Sequence, residues 1–172
     1  MNRQLQLEPL EPRIVCAAVV VEFSINDDCV EVGETFMVDI TVRDHHPWTG
    51  GLATVSVDVQ WSGPVELVDY AITDVLAGHI VGAITPNSID DLSGGSSHAY
   101  FGGIQTLGNF RDEVFASLEF RATGSGEVEF TMNEGRNRII PVPTAVFQAG
   151  QIEFAPATMH VFAESLVCGM DE

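Results

Sequence analysis

Paired acids, paired histidines and a serine–histidine cluster are the residues of this chain whose types could do chemistry. Glu127 and Glu129 flank Val128 and, two residues apart in an extended segment, face the same way. Two carboxylates can serve glycoside hydrolysis. The acid and the nucleophile of that reaction usually come from opposite walls of a cleft, so a solvated strand face is the plainer reading. Gly94-Gly95-Ser96-Ser97-His98 brings hydroxyls beside an imidazole. It lacks the G-x-S-x-G spacing of a nucleophile elbow, and no aspartate is placed to orient His98. His45-His46 precede Pro47-Trp48, and two ligands in a turn are too few for a metal site. Asp27-Asp28 and Asp90-Asp91 lack further oxygen ligands at the regular spacing calcium requires, so both read as turns. No metal, no cofactor and no catalysis are expected.

Charge narrows the partners. The 172 residues carry 25 acids against seven basic residues, all arginine, for a net charge of −18. Such a field repels nucleic acid and anionic membranes. Without lysine there is no Schiff-base chemistry and no phosphate-loop lysine. A hydrophobic content of 45% excludes a disordered chain, and the length suits one domain with short tails. The longest apolar run, Ile14 to Val21, ends at Glu22 and is strand-sized, so no membrane insertion is expected. Its basic start is thin and no small-residue cleavage site stands out, so it does not read as a secretory signal.

The elements that must position any site are strands. Val19, Val21, Phe23 and Ile25 alternate with Val20, Glu22 and Ser24. The same period of two runs through Phe36, Val38, Ile40 and Val42, and through Ala53, Val55, Val57, Val59 and Trp61. It returns in Val114, Ala116, Leu118 and Phe120, and in Val128, Phe130 and Met132. Each segment has one apolar and one wet face. Asn26-Asp27-Asp28, His46-Pro47, Ser62-Gly63-Pro64, Gly94-Gly95-Ser96-Ser97 and Gly124-Ser125-Gly126 punctuate them as turns. The pattern predicts an all-β chain, an antiparallel β-sandwich.

Two resemblances add to this. Leu10-Glu11-Pro12-Arg13-Ile14-Val15 resembles the LEPR leader of large surface and secreted proteins of planctomycete-type bacteria. Four later segments, in order, resemble a cohesin, the receptor module for dockerins. They are Val32-Gly33-Glu34-Thr35-Phe36-Met37-Val38-Asp39-Ile40, Gly51-Leu52-Ala53 through Trp61-Ser62-Gly63-Pro64-Val65-Glu66-Leu67, His98-Ala99-Tyr100-Phe101-Gly102-Gly103, and Val114 through Ala122 followed by Gly126 through Phe130. The corner Trp61-Ser62-Gly63 departs from the usual Tyr-Asp-Pro. The resemblance implies a jelly-roll sandwich of about nine strands. It implies a leader over residues 1–17, the sandwich over 18–163 and a tail over 164–172. It also implies an extracellular or cell-surface place, a dockerin-bearing partner that carries calcium, and, as an alternative, polysaccharide binding or an adhesion role.

The cohesin likeness further implies which sheet meets the partner, and the alternation then selects residues. They are Thr54, Ser56, Asp58 and Gln60 on one strand and Glu127, Glu129 and Thr131 on its neighbour. Ala99 and Phe101 are expected on the next strand, with Phe101 as the aromatic anchor, and His79 and Val81 beyond it. No outward row of three aromatics appears, which favours a protein over a glycan. First and last strands of cohesins run parallel side by side, which implies a Cys29–Cys168 disulfide, with Cys16 cleaved off with the leader or left unpaired.

Overall fold

β-Branched and aromatic residues at a period of two fit a pleated, half-buried surface, and the chain uses them that way. The computed structural model describes residues 19–26, 29–44, 52–73, 79–95, 113–136, 139–141 and 152–162. Among these every regular element is a strand: β1 (Val19–Ile25), β2 (Cys29–Glu31), β3 (Thr35–Asp44), β4 (Leu52–Ser62), β5 (Val65–Ile72), β6 (Ile84–Thr85), β7 (Ser88–Gly95), β8 (Glu113–Ala122), β9 (Gly126–Glu134), β10 (Ile140–Pro141), β11 (Ile152–Ala155) and β12 (Ala157–Phe162). One sheet has the order β11-β1-β3-β8-β5. The other runs β2-β12-β9-β4-β7-β6, with β10 also on β4. This is the all-β sandwich that the alternation predicts.

Twelve strands stand where about nine are expected. Two outer strands are each divided between the sheets. β1 lies in the first sheet and β2 in the second, and β11 and β12 repeat the division around Pro156. Proline has no N–H for the ladder, which makes it a natural point for a chain to leave one sheet. β1 pairs with β11 in parallel, and β2 with β12 in parallel; the remaining ladders are antiparallel.

The inner faces hold the core. Val38, Ile40 and Val42 of β3 meet Val55, Val57 and Val59 of β4 in one buried cluster with Leu118, Val128 and Phe130. Phe120 lies at its centre. Its ring is 5.0 Å from Trp61 and 5.1 Å from Phe130, both edge-on, and 5.9 Å from Phe36. Burying a side chain of this size contributes about 1.5–3 kcal/mol, and edge-on aromatic pairs add about 0.5–1.5 kcal/mol.

Strict alternation fails where the ladders bulge, and two of the bulges overturn expectations. Ile40 pairs with Ala116 but Thr41 with Val114, so Phe115 is an extra residue in β8. Phe115 and Ala116 both become buried, and Val114, expected inside, is 43% exposed. The second bulge lies in β7. Val57 pairs with Leu92 and Val59 with Ile89, so Asp90 and Asp91 together face Asp58. Asp91 has φ of +54°, a left-handed conformation that aspartate tolerates better than most residues. Asp90-Asp91 is thus part of a strand, not the turn read from its composition. Gly94-Gly95, likewise read as a turn, is the end of that strand.

Candidate partner-binding face

The outer face of the second sheet is built in rows, because residues paired across an antiparallel ladder share a face. Ser62 pairs with Glu129, and Glu129 with Thr158. Gln60 pairs with Thr131 on one side and Ser88 on the other. Asp58 pairs with Asn133, Ser56 with Ser93, and Glu127 with His160. The inward partners of these strands (Val57, Val59, Val128, Phe130, Ile89 and Leu92) are fully buried, which fixes the direction of the rest. The face therefore carries short polar and acidic side chains from β9, β4 and β7.

Thr54, Asp58 and Thr131 are half-buried, and Gln60, Glu127 and Glu129 are exposed. Ser56 differs. It lies on the outward row but is wholly buried, and its hydroxyl donates to Asp91 Oδ1 at 2.8 Å. Its carbonyl accepts the Gly135 N–H at 2.9 Å. Ser56 shapes the face from beneath and does not reach a partner.

The β7 bulge is held by the same group. The Asp91 N–H donates to Asp58 Oδ1 at 2.7 Å, so Asp58 satisfies a backbone donor that the interrupted ladder leaves over. A carboxylate accepting a backbone N–H is also fixed in orientation. Asp58 thus presents a placed, half-buried negative charge at the centre of the face.

The strand beside β4 on this edge is Ser88–Gly95, upstream of the expected His98–Gly103 segment. Ala99 and Phe101 lie outside the described residues. His45-His46, Asp27-Asp28, Ser96-Ser97-His98 and Cys168 lie outside them too. His79 is exposed, and its Nε2 lies 3.0 Å from the Thr73 carbonyl. Val81 packs against the core and does not face outward.

Sequence reasoning missed Ile80. It bridges Ser93 through two backbone bonds of 2.9 and 2.8 Å, which places it on the outward row of Ser56 and Ser93. Half of its surface is exposed. The segment has no clear alternation, so only the pairing with β7 reveals its direction. Among the described residues no group of three or more histidine, cysteine, aspartate or glutamate side chains is placed to hold a metal ion. No described helix is long and apolar enough to cross a membrane.

No family model and no curated protein matches the sequence. Solved structures do match. A non-cellulosomal cohesin from Archaeoglobus fulgidus has a TM-score of 0.61 at 11% identity, over 87% of this chain and 94% of that one. A cohesin module from a Clostridium perfringens family 33 glycoside hydrolase has a TM-score of 0.60 at 13% identity, over 85% and 99%. The third ScaC cohesin of Acetivibrio cellulolyticus, solved in complex with the ScaB dockerin, has a TM-score of 0.53 at 11% identity, over 84% and 99%. Fold similarity at such low identity, across nearly the full length of both chains, makes this a cohesin-like β-sandwich.

Proposed function

We propose that the chain is a non-catalytic recognition module that binds a dockerin-bearing protein on the outer face of β9, β4 and β7. The carrying observation is that face itself: a regular polar surface around the fixed Asp58 carboxylate, with exposed Ile80 on its outer row. Ile80 supplies the apolar anchor, and Gln60, Glu127, Glu129 and Thr131 the polar surround. The acidic rim steers a basic partner. The dockerin carries the calcium. Thr54 and His79 lie at the margin.

The test is a pull-down with the full chain as bait, from an extracellular fraction in calcium and again with chelator. A dockerin-bearing protein recovered only in calcium supports the reading. Ile80→Asp then weakens binding by about 2 kcal/mol, roughly thirtyfold, as loss of an interface anchor does. Retention on insoluble polysaccharide with no protein captured would replace this reading with a glycan-binding one.

Export fits the cysteines. Cys29 is disulfide-bonded, and bonds of this kind persist in oxidising compartments. Its partner is Cys16 or Cys168. β1 carries the chain about 20 Å from Val19 to Ile25, and β2 continues in the same direction. Three residues before Val19 recover at most about 11 Å, and a disulfide spans about 7 Å between Cα atoms. Cys168 follows β12, whose His160 sits beside Cys29. We assign the bond to Cys29 and Cys168, with residues 1–17 as a leader and 164–172 as a tail tied to the sandwich.

A further inference from the structure

The two described sheets end in four edge strands, and three of these are short. β11, β2 and β6 hold four, three and two residues, while β5 holds eight. An edge strand offers a row of unpaired backbone donors and acceptors to any other strand. On β5 that row can be traced. The Thr73 N–H donates to the Phe115 carbonyl at 2.9 Å, and backbone groups alternate between the two sides of an antiparallel strand. Ala71 and Asp69 therefore also point at β8, and Ile72 and Tyr70 point away from it.

The side chains add to the hazard. Leu67-Val68-Asp69-Tyr70-Ala71-Ile72 is an apolar and aromatic run without proline or glycine, and Asp69 is its one charge. Runs of six such residues on an open edge favour strand-to-strand association. Val68 is 43% exposed. Tyr70 pairs with buried Leu118 and so lies on the inner row, yet it is 37% exposed.

Asp69 counters both. Its Oδ1 accepts the Tyr70 N–H at 2.8 Å, so an outward donor that a new strand would use is already taken. It also charges the middle of the run, where aspartate is a poor strand former. The bulge at Val68 interrupts the outward row next to it. At physiological salt a charge acts over about 8 Å, so most of the chain's −18 is out of reach of an edge contact and the charges on β5 itself decide.

We propose that Asp69 guards the β5 edge: its carboxylate occupies the Tyr70 N–H and charges the run, and without it β5 pairs antiparallel with β5 of a second copy of this chain. A two-fold axis would relate the copies, since the same edge serves both. The guard lies on the sheet opposite the dockerin-binding face and does not rest on that reading.

The test is sedimentation velocity on the full chain at about 0.15 M salt, with amide hydrogen exchange as a second readout. Asp69→Ala should associate at a concentration at least tenfold lower than the wild type. Exchange at Tyr70 and Ile72 should then slow as its concentration rises. Glu119→Ala removes the acid directly opposite Asp69 but leaves the Tyr70 N–H covered, so it should behave as the wild type. Adding Tyr70→Pro to Asp69→Ala removes an outward donor that β8 does not use and should restore the monomer. Wild-type exchange rates within β8 show that each variant is folded. A monomeric Asp69→Ala, a wild type that associates as readily, or an equal effect of Glu119→Ala would overturn the proposal. So would association that leaves exchange at Tyr70 and Ile72 unchanged.

Discussion

Two glycines with nearly equal backbone angles separate conformational strain from steric contact. Gly33 has φ of +98° and Gly63 has φ of +96°. A Cβ on Gly33 meets nothing within 4 Å. A Cβ on Gly63 lies 3.0 Å from Val128 Cα, 3.2 Å from the Glu127 carbonyl carbon, and closer still to the Glu127 carbonyl oxygen. All three are backbone atoms of β9, which cannot rotate aside. Placing an L-residue at such an angle costs about 1–2 kcal/mol, and alanine recovers about 0.4–1 kcal/mol by restricting the unfolded chain. Gly33→Ala should therefore lose only about 0.5–1 kcal/mol. Gly63→Ala adds an overpacking penalty of about 1–3 kcal/mol, for a total near 2–4 kcal/mol. Urea unfolding followed by tryptophan fluorescence measures both, since Trp61 is buried two residues from Gly63. Equal losses in the two variants would refute the reasoning, because strain alone would then account for both. The contact also bears on binding: Gly63→Ala pushes on the strand that presents Glu127 and Glu129, so it should weaken partner binding where Gly33→Ala does not.

Other outcomes follow from single groups. The Trp61 indole N–H is buried without a hydrogen-bond partner among the described residues. Trp61→Phe removes that donor and should change stability by less than about 1.5 kcal/mol in a denaturant titration, while Phe120→Ala, at the aromatic centre, should lose about 3–5 kcal/mol. Asp91→Asn keeps an acceptor for Ser56 and a side chain suited to positive φ, so it should lose less than about 1 kcal/mol, against about 2–3 kcal/mol for Asp91→Ala. Peptide mapping without reductant should recover a Cys29–Cys168 fragment; a Cys16–Cys29 fragment would overturn the chain-reach argument.

The sandwich was legible because most strands keep one face wet. Val55, Val57, Val59 and Trp61 alternate without a break, and all four are buried. The strand beside them was not legible. Ile89 and Leu92 both face the core but stand three residues apart, because the Asp90–Asp91 bulge absorbs one residue. A period-two reading passes over such a segment, and the strand that the cohesin resemblance implies at His98–Gly103 lies outside the described residues. Phe115 hides the same way in β8. At the face, alternation gave the direction of Thr54 through Gln60 but not the depth of Ser56, since burial depends on what packs above a strand. Ile80 carries no local pattern at all; its place comes from a bridge to a residue thirteen positions away.

The parallel ladders at the chain's two ends bear on how the domain carries load. β1 begins the described chain and runs beside β11, while β12 ends it and runs beside β2 in the same direction. Opposed pulls at residues 18 and 163 drag the first strand backward and the last one forward, each along its own length. Hydrogen bonds of a parallel ladder are evenly spaced and slant across that direction. The whole ladder is then sheared at once, whereas a hairpin pulled at its ends unzips bond by bond. A module tethered at both ends would resist rupture until many bonds yield together.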